Sequence, residues 1–208
     1  MRGSDGRTSQ KSASGPITRQ SKGADQFFAA LQSEESLTVL DLAGASQANI
    51  MFITELGHRL ASDDIVATMD QCFGDGDFLE NQENSERVAR FLSQTLKFPD
   101  EHFDGALIWD SLQFLAPSLL EQTVEQLLRV MKPGGVMLAF FSSDEKATKI
   151  PVYNYRIQDQ KTILLVPRGT YKQVQYFNNR SLERMFDRAQ SLKFFLTRDY
   201  LREVLIRR

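Results

Sequence analysis

Three short apolar runs, separated by stretches of helical periodicity, constrain this chain more than anything else in it. Leu37 to Leu42 (LTVLDL), Phe103 to Trp109 (FDGALIW) and Val136 to Phe141 (VMLAFF) are continuous enough to be strands covered on both faces. Between the first two, Gln47 to Leu56 has helical spacing and is ended by Gly57. Before the third, Pro117 to Met131 repeats Leu119, Leu120, Val124, Leu127, Leu128 and Met131 at threes and fours, the signature of a helix with one buried face. Lys132-Pro133-Gly134-Gly135 then stops that helix, because proline cannot continue it and glycine accepts positive φ. His58 to Ser62 reads as another strand, closed by Asp63 and Asp64. Such alternation predicts an α/β sandwich with a parallel sheet and right-handed crossovers.

The ends differ from the middle. Residues 1–24 are Ser-, Gly- and Arg/Lys-rich with almost nothing to bury, so a disordered basic tail is expected, with order starting near Asp25 in the helix DQFFAALQS. Residues 25–208 are expected to form one domain. Its last third predicts short strands at Val152–Ile157 and Thr162–Val166, a further one around Tyr171–Phe177, a helix from Ser181 to Ala189, and a terminal strand pair at Leu192–Leu196 and Tyr200–Ile206.

Composition narrows the function. Two histidines and one cysteine cannot assemble a structural zinc site or a disulfide framework, and no metal is expected. No apolar run approaches the roughly 18 to 20 residues of a membrane span, and the first residues lack the apolar core of a secretory signal. A cytoplasmic protein without a membrane partner is expected. The net charge of −2 hides segregation: residues 26–145 are strongly acidic, whereas residues 1–25 and 146–208 are basic. The basic third is explained equally by recruitment of an anionic substrate and by charged sheet edges. No nucleic-acid-binding motif accompanies it, so nucleic acid is not an expected partner. Gly74-Asp75-Gly76-Asp77 lacks the spacing of a calcium loop, and no phosphate loop, nucleophile elbow or dinucleotide glycine motif is present.

Ligands of a parallel α/β sheet bind at the carboxyl ends of its strands. That rule selects Asp41 with the turn Ala43–Ser46, then Asp63 and Asp64, then Asp110 and Ser111. Asp41 interrupts an apolar run, so it should be buried and in need of partners. The acidic pair, about 23 residues further on, is placed to accept from both hydroxyls of a ribose. Each aspartate is also an ordinary helix cap or turn former.

The segments VLDLAGASQANIMF, GHRLASDDI, FPDEHFDGALIWDSLQFL and LLRVMKPGGVMLAFF together resemble class I S-adenosylmethionine-dependent methyltransferases, over roughly residues 37–141. The resemblance implies a Rossmann-like three-layer sandwich with a mostly parallel seven-stranded sheet and an antiparallel C-terminal strand. One of those strands would lie near Arg90–Ser93. It implies S-adenosylmethionine as cofactor and binding residues Asp41, Ala43, Gly44, Ala45, Asp64, Ile65, Ser93 and Asp110. The family's first loop reads Asp-x-Gly-x-Gly-x-Gly. Here Asp41 is kept, Ala43, Ala45 and Gln47 stand at the glycine positions, and Gly44 is out of register. Leu92 stands where the family has a polar residue near the adenine. The implied reaction is methyl transfer to an unknown acceptor by positioning, with Asp110 the candidate to orient or deprotonate the nucleophile. His102 is a poorer candidate base, at the start of a strand. The alternatives are a non-catalytic binding or scaffold protein that has lost the cofactor, supported by the altered loop and Leu92, and a nicotinamide-dependent oxidoreductase sharing the ribose acid.

Overall fold

The computed structural model describes residues 15–32, 35–197 and 200–208. The chain runs β1 (Ile17–Gln20), α1 (Lys22–Leu31), β2 (Thr38–Asp41), α2 (Gln47–Glu55), β3 (Arg59–Ser62), α3 (Ile65–Phe73), α4 (Phe78–Asn81), α5 (Ser85–Gln94) and β4 (Phe103–Trp109). A short 3-10 helix (Ser111–Phe114) follows, then α6 (Pro117–Val130), β5 (Met131–Ser142), β6 (Lys149–Ile157), β7 (Thr162–Lys172), α7 (Asn179–Met185), β8 (Ser191–Leu196) and β9 (Leu201–Arg207).

The main sheet has the order β3-β2-β4-β5-β9-β8. Strands β2 to β5 are parallel, and β9 and β8 run antiparallel beside them. Side-chain alternation divides its faces. Ala106, Ile108, Met137, Ala139 and Phe141 meet α3, α5, α6 and α7 on one side. Leu107, Trp109, Val136, Leu138 and Phe140 meet α1 and α2 on the other. This is the expected Rossmann-like three-layer sandwich. Among the described residues no helix is long and apolar enough to cross a membrane.

Two expectations are corrected. The main sheet has six strands, because the segment around Arg90–Ser93 is helical in α5. Asn84 caps that helix by accepting from the Glu86 and Arg87 N–H groups. Val88, Phe91 and Leu92 lie at helical spacing against the core, and Arg87 and Arg90 donate to the Cys72 carbonyl. The second correction concerns the basic tail. Residues 1–14 lie outside the described residues, but Ile17–Gln20 form a strand and α1 begins at Lys22. Strand β1 pairs with β7, giving a separate antiparallel sheet of order β1-β7-β6. Ser21 caps α1 by accepting from Ala24 N–H at 3.0 Å. Lesser shifts affect Tyr171–Phe177, where the strand ends at Lys172, and α7, which Asn178 caps instead of Ser181.

Not every buried polar group is satisfied. His58, between α2 and β3, is 4% exposed, and among the described residues neither ring nitrogen has a hydrogen-bond partner. An unpaired buried donor or acceptor costs about 1–3 kcal/mol. His58→Leu is therefore expected to stabilise the chain by about 1 kcal/mol, read as a rise in the urea midpoint at unchanged slope; a fall would mean the imidazole is satisfied in solution.

Candidate functional site at the carboxyl ends of β2, β3 and β4

Asp41 ends β2 and is fully buried. Its Oδ1 accepts from Ala43 N–H (3.1 Å) and the Trp109 indole Nε1–H (2.7 Å), and its Oδ2 from the Asn49 amide (2.6 Å). Burial raises its pKa, against the opposing effect of those hydrogen bonds. Asn49 extends the cluster, donating to Tyr155 C=O (3.0 Å) and accepting from Ile157 N–H (2.8 Å). One carboxylate thus joins β2, α2, β4 and β6.

The next turn packs against the end of β3. Ala43 bridges Asp64, and Gly44 N–H donates to Asp63 C=O at 3.1 Å. Gly44 has φ +85°, and a Cβ there would stand 2.9 Å from Asp64 Oδ2, so this position needs glycine twice over. The out-of-register glycine is therefore the one the turn uses. Gln47 is the first residue of α2 and needs no positive φ.

The two acids after β3 divide their work. Asp63 Oδ2 accepts from Leu96 N–H (2.8 Å), and burial raises its pKa. Asp64 is half-buried, caps α3 through Ala67 N–H (2.8 Å) and pairs with Arg168 of β7 at 3.0 Å. Both of these interactions use Oδ1.

Trp109 closes β4 in a left-handed conformation, φ +55°. Its indole stacks on Tyr155 of β6 with centroids 4.7 Å apart and planes 4° apart. Asp110 follows, 3% exposed, and among the described residues its Oδ2 has no hydrogen-bond partner. Burial pushes its pKa up to about 7, against the pull of the Tyr155 hydroxyl, nearby backbone N–H groups and the Arg168 charge.

Two cavities share Tyr155 as a wall. One, of about 430 Å³, is lined by residues 43–48, Asp64 and residues 154–156. The other, of about 610 Å³, is lined by Asp110, Gln113 and Ser142 at the ends of β4 and β5, and by Arg19, Tyr153 and Tyr155 from the small sheet.

Of the residues singled out from the sequence, Asp41, Ala43, Gly44, Ala45 and Asp64 converge on one turn region, and Asp110 opens on the neighbouring cavity. Two do not join them. The Ile65 side chain is fully buried in the core beneath α3. Ser93 is exposed on α5, where its hydroxyl donates to the Arg90 carbonyl. The helical turn that replaces the expected strand is what carries Ser93 away. His102 is exposed at the amino end of β4, the opposite edge of the sheet. Sequence reasoning missed Asn49, Tyr153 and Tyr155, and had Arg168 only as one charge of the basic C-terminal third. The only trace of the tyrosines was their alternation in PVYNYRI, which reads as an ordinary strand.

Residues 40–139 match a family model described as a methyltransferase domain. Among solved structures, the chain is similar to the 1,6-didemethyltoxoflavin-N1-methyltransferase of Burkholderia thailandensis, crystallised with 1,6-didemethyltoxoflavin and S-adenosylhomocysteine. The identity is 16%, over 89% of this chain and 76% of that one, with a TM-score of 0.50. A protein from Pyrococcus horikoshii has 14% identity over 87% of each chain, with a TM-score of 0.49. A SAM-dependent methyltransferase from Methanosarcina mazei has 14% identity over 87% of this chain and 96% of that one, with a TM-score of 0.48. No curated protein matched the sequence. The Burkholderia likeness is one of fold.

Proposed function

We propose that this chain, whose residues 40–139 match a methyltransferase-domain family model, binds S-adenosylmethionine at the β2 and β3 ends. It then transfers the methyl group to an acceptor held beside Asp110. The observation that carries the reading is the shared cavity in which the Gly44 turn and Asp64 meet, with no hydrogen bond occupying Asp64 Oδ2 among the described residues. That the Burkholderia enzyme was crystallised with S-adenosylhomocysteine agrees with it.

The residues present fit the cofactor at two of its groups. Asp64 Oδ2 would accept from the ribose hydroxyls. The first turn of α2, where Ser46 makes no side-chain cap, would offer backbone N–H groups to the amino-acid carboxylate. When bound, the cofactor supplies an electrophilic methyl group on sulfur. The chain's own work is to position: Asp41 holds the Gly44 turn, Tyr155, backed by Trp109, walls both cavities, and Asp110 receives the acceptor's proton.

Calorimetric titration of S-adenosylmethionine and S-adenosylhomocysteine tests the proposal. Dissociation constants near micromolar, about −8 kcal/mol, are expected. Asp64→Ala is expected to weaken both by about 10- to 100-fold, the worth of hydrogen bonds to a charged group. No heat at millimolar ligand from folded protein, or unchanged affinity in the variant, would remove Asp64 from the role.

One observation favours a second reading. Arg168 already sits on Asp64, and Tyr155 on Trp109, so the chain fills part of the crevice with its own side chains. A non-catalytic binding protein would keep these contacts in place. In that case Arg168→Ala alters stability alone, whereas in a cofactor-binding protein it tightens the affinity by freeing Asp64.

A further inference from the structure

Resting on that reading, we infer that the 610 Å³ cavity takes a small arylalkyl amine as the methyl acceptor, its ammonium nitrogen directed to Asp110. The cavity's size suits one or two fused rings with a short side chain. Its walls are those a flat apolar body needs: Tyr153 and Tyr155 meet at 73° with centroids 6.2 Å apart, and Ile150, Pro151 and Leu165 complete the lining. At the mouth Ile17 and Tyr200 are exposed, at 42% and 66%.

The polar requirement is equally definite. Asp110 lines this cavity, and among the described residues its buried Oδ2 has no hydrogen-bond partner, although the Tyr155 hydroxyl and backbone N–H groups lie beside the carboxylate; a buried acceptor without a donor is costly. A donor from the ligand satisfies it. The same carboxylate disfavours an anionic ligand. Arg19 does not offset this, because its guanidinium is engaged with the buried Glu203 at 3.1 Å. Lys149 and Asp144 balance one another among the remaining lining groups. The half-buried Tyr153 ring adds attraction for a cation, which sets an ammonium above a neutral hydroxyl. In the reaction, Asp110 Oδ2 takes one proton from the ammonium. The freed lone pair on nitrogen then forms the new N–CH3 bond as the methyl–sulfur bond breaks, its electron pair remaining on sulfur.

The test uses three probes with one ring system and different charge: tryptamine, indole-3-ethanol and indole-3-acetate. Each is titrated into the full chain without cofactor. Tryptamine is expected to bind at least tenfold more tightly than the alcohol, and the acetate not at all. Asp110→Asn, which keeps the shape of the side chain, is expected to abolish the difference between tryptamine and the alcohol. In the unaltered chain tryptamine affinity is expected to rise at least fivefold from pH 6 to pH 8, as Asp110 ionises among Tyr153, Tyr155, Arg168, Arg19, Lys149 and Asp144. Equal binding of the three probes, preference for the acetate, no binding, or indifference to Asp110→Asn each overturns the assignment. A silent titration with S-adenosylmethionine beside selective tryptamine binding would sink the methyl-transfer reading and leave the amine cavity standing. The reverse result would do the opposite.

Discussion

Asp110→Asn is expected to make the chain more stable than wild type at pH 8, by about 2–3 kcal/mol more than at pH 5. The carboxyl is fully shielded, and its pKa in the folded state is about 7, against 3.8 for an unperturbed aspartate. A raised carboxyl pKa means that the folded state holds its proton over a range where the unfolded chain has released it. Stability therefore falls as pH rises from about 4 to about 7, where the full cost of ionising a buried group is reached. Asparagine does not ionise, so this cost vanishes in the variant. Asp41 and Asp63 are also raised by burial and bend the profile in the same direction. Urea titrations of both proteins at the two pH values measure the effect. Parallel profiles would mean that the Tyr155 hydroxyl and the nearby backbone N–H groups offset the burial of the Asp110 carboxylate. The same ionisation strengthens tryptamine binding, so ligand affinity and fold stability should change in opposite directions across neutrality. That opposition is what a carboxylate kept for a ligand, and not for the fold, predicts.

The second large effect lies away from the cavity floor. Glu203 on β9 is fully buried and accepts from Arg19 Nη2 (3.1 Å), Ser21 Oγ (3.0 Å) and Gly23 N–H (2.6 Å). These contacts fasten β1 and the first turn of α1 to the main sheet. The approach is close: a Cβ on Gly23 would stand 2.7 Å from Leu138 and 2.9 Å from Glu203. Glu203→Ala removes the carboxylate that faces the buried Arg19 charge, and breaking a buried ion pair from one side costs about 3–5 kcal/mol. The expected result is a lower urea midpoint, with protease cleavage appearing between residues 15 and 24. Replacing both partners by apolar residues, Arg19→Met with Glu203→Leu, should recover much of the loss. If the single variant is as stable as wild type, the N-terminal strand is not held by this pair.

Much of the fold was legible because its elements are set by local chemistry. FDGALIW coincides with β4 residue for residue, and Gln47 and Pro117 begin α2 and α6 where spacing and the proline at the first helical position predict. The Arg90–Ser93 segment failed for an instructive reason. A short run of mixed polarity fits strand or helix, and the Asn84 cap with the arginine contacts to Cys72 decided for helix. The tail failed because Ile17–Gln20 buries little of its own. Its order comes from β7 and from Glu203.

At the site, the sequence by itself determined that acidic side chains would end β2, β3 and β4. A carboxylate within or after an apolar run has few other places to go, and that pattern spans ten residues or fewer. Only the tertiary structure decided what those acids meet. Asp64 meets Arg168 104 positions later, Asn49 reaches Tyr155 across 106, and Glu203 is paired with Arg19 across 184. A buried charge is satisfied by whichever donor folding brings within about 3 Å, and no local spacing encodes that donor. Asp110 Oδ2, for which the described residues supply no such donor, is where the structure points beyond itself.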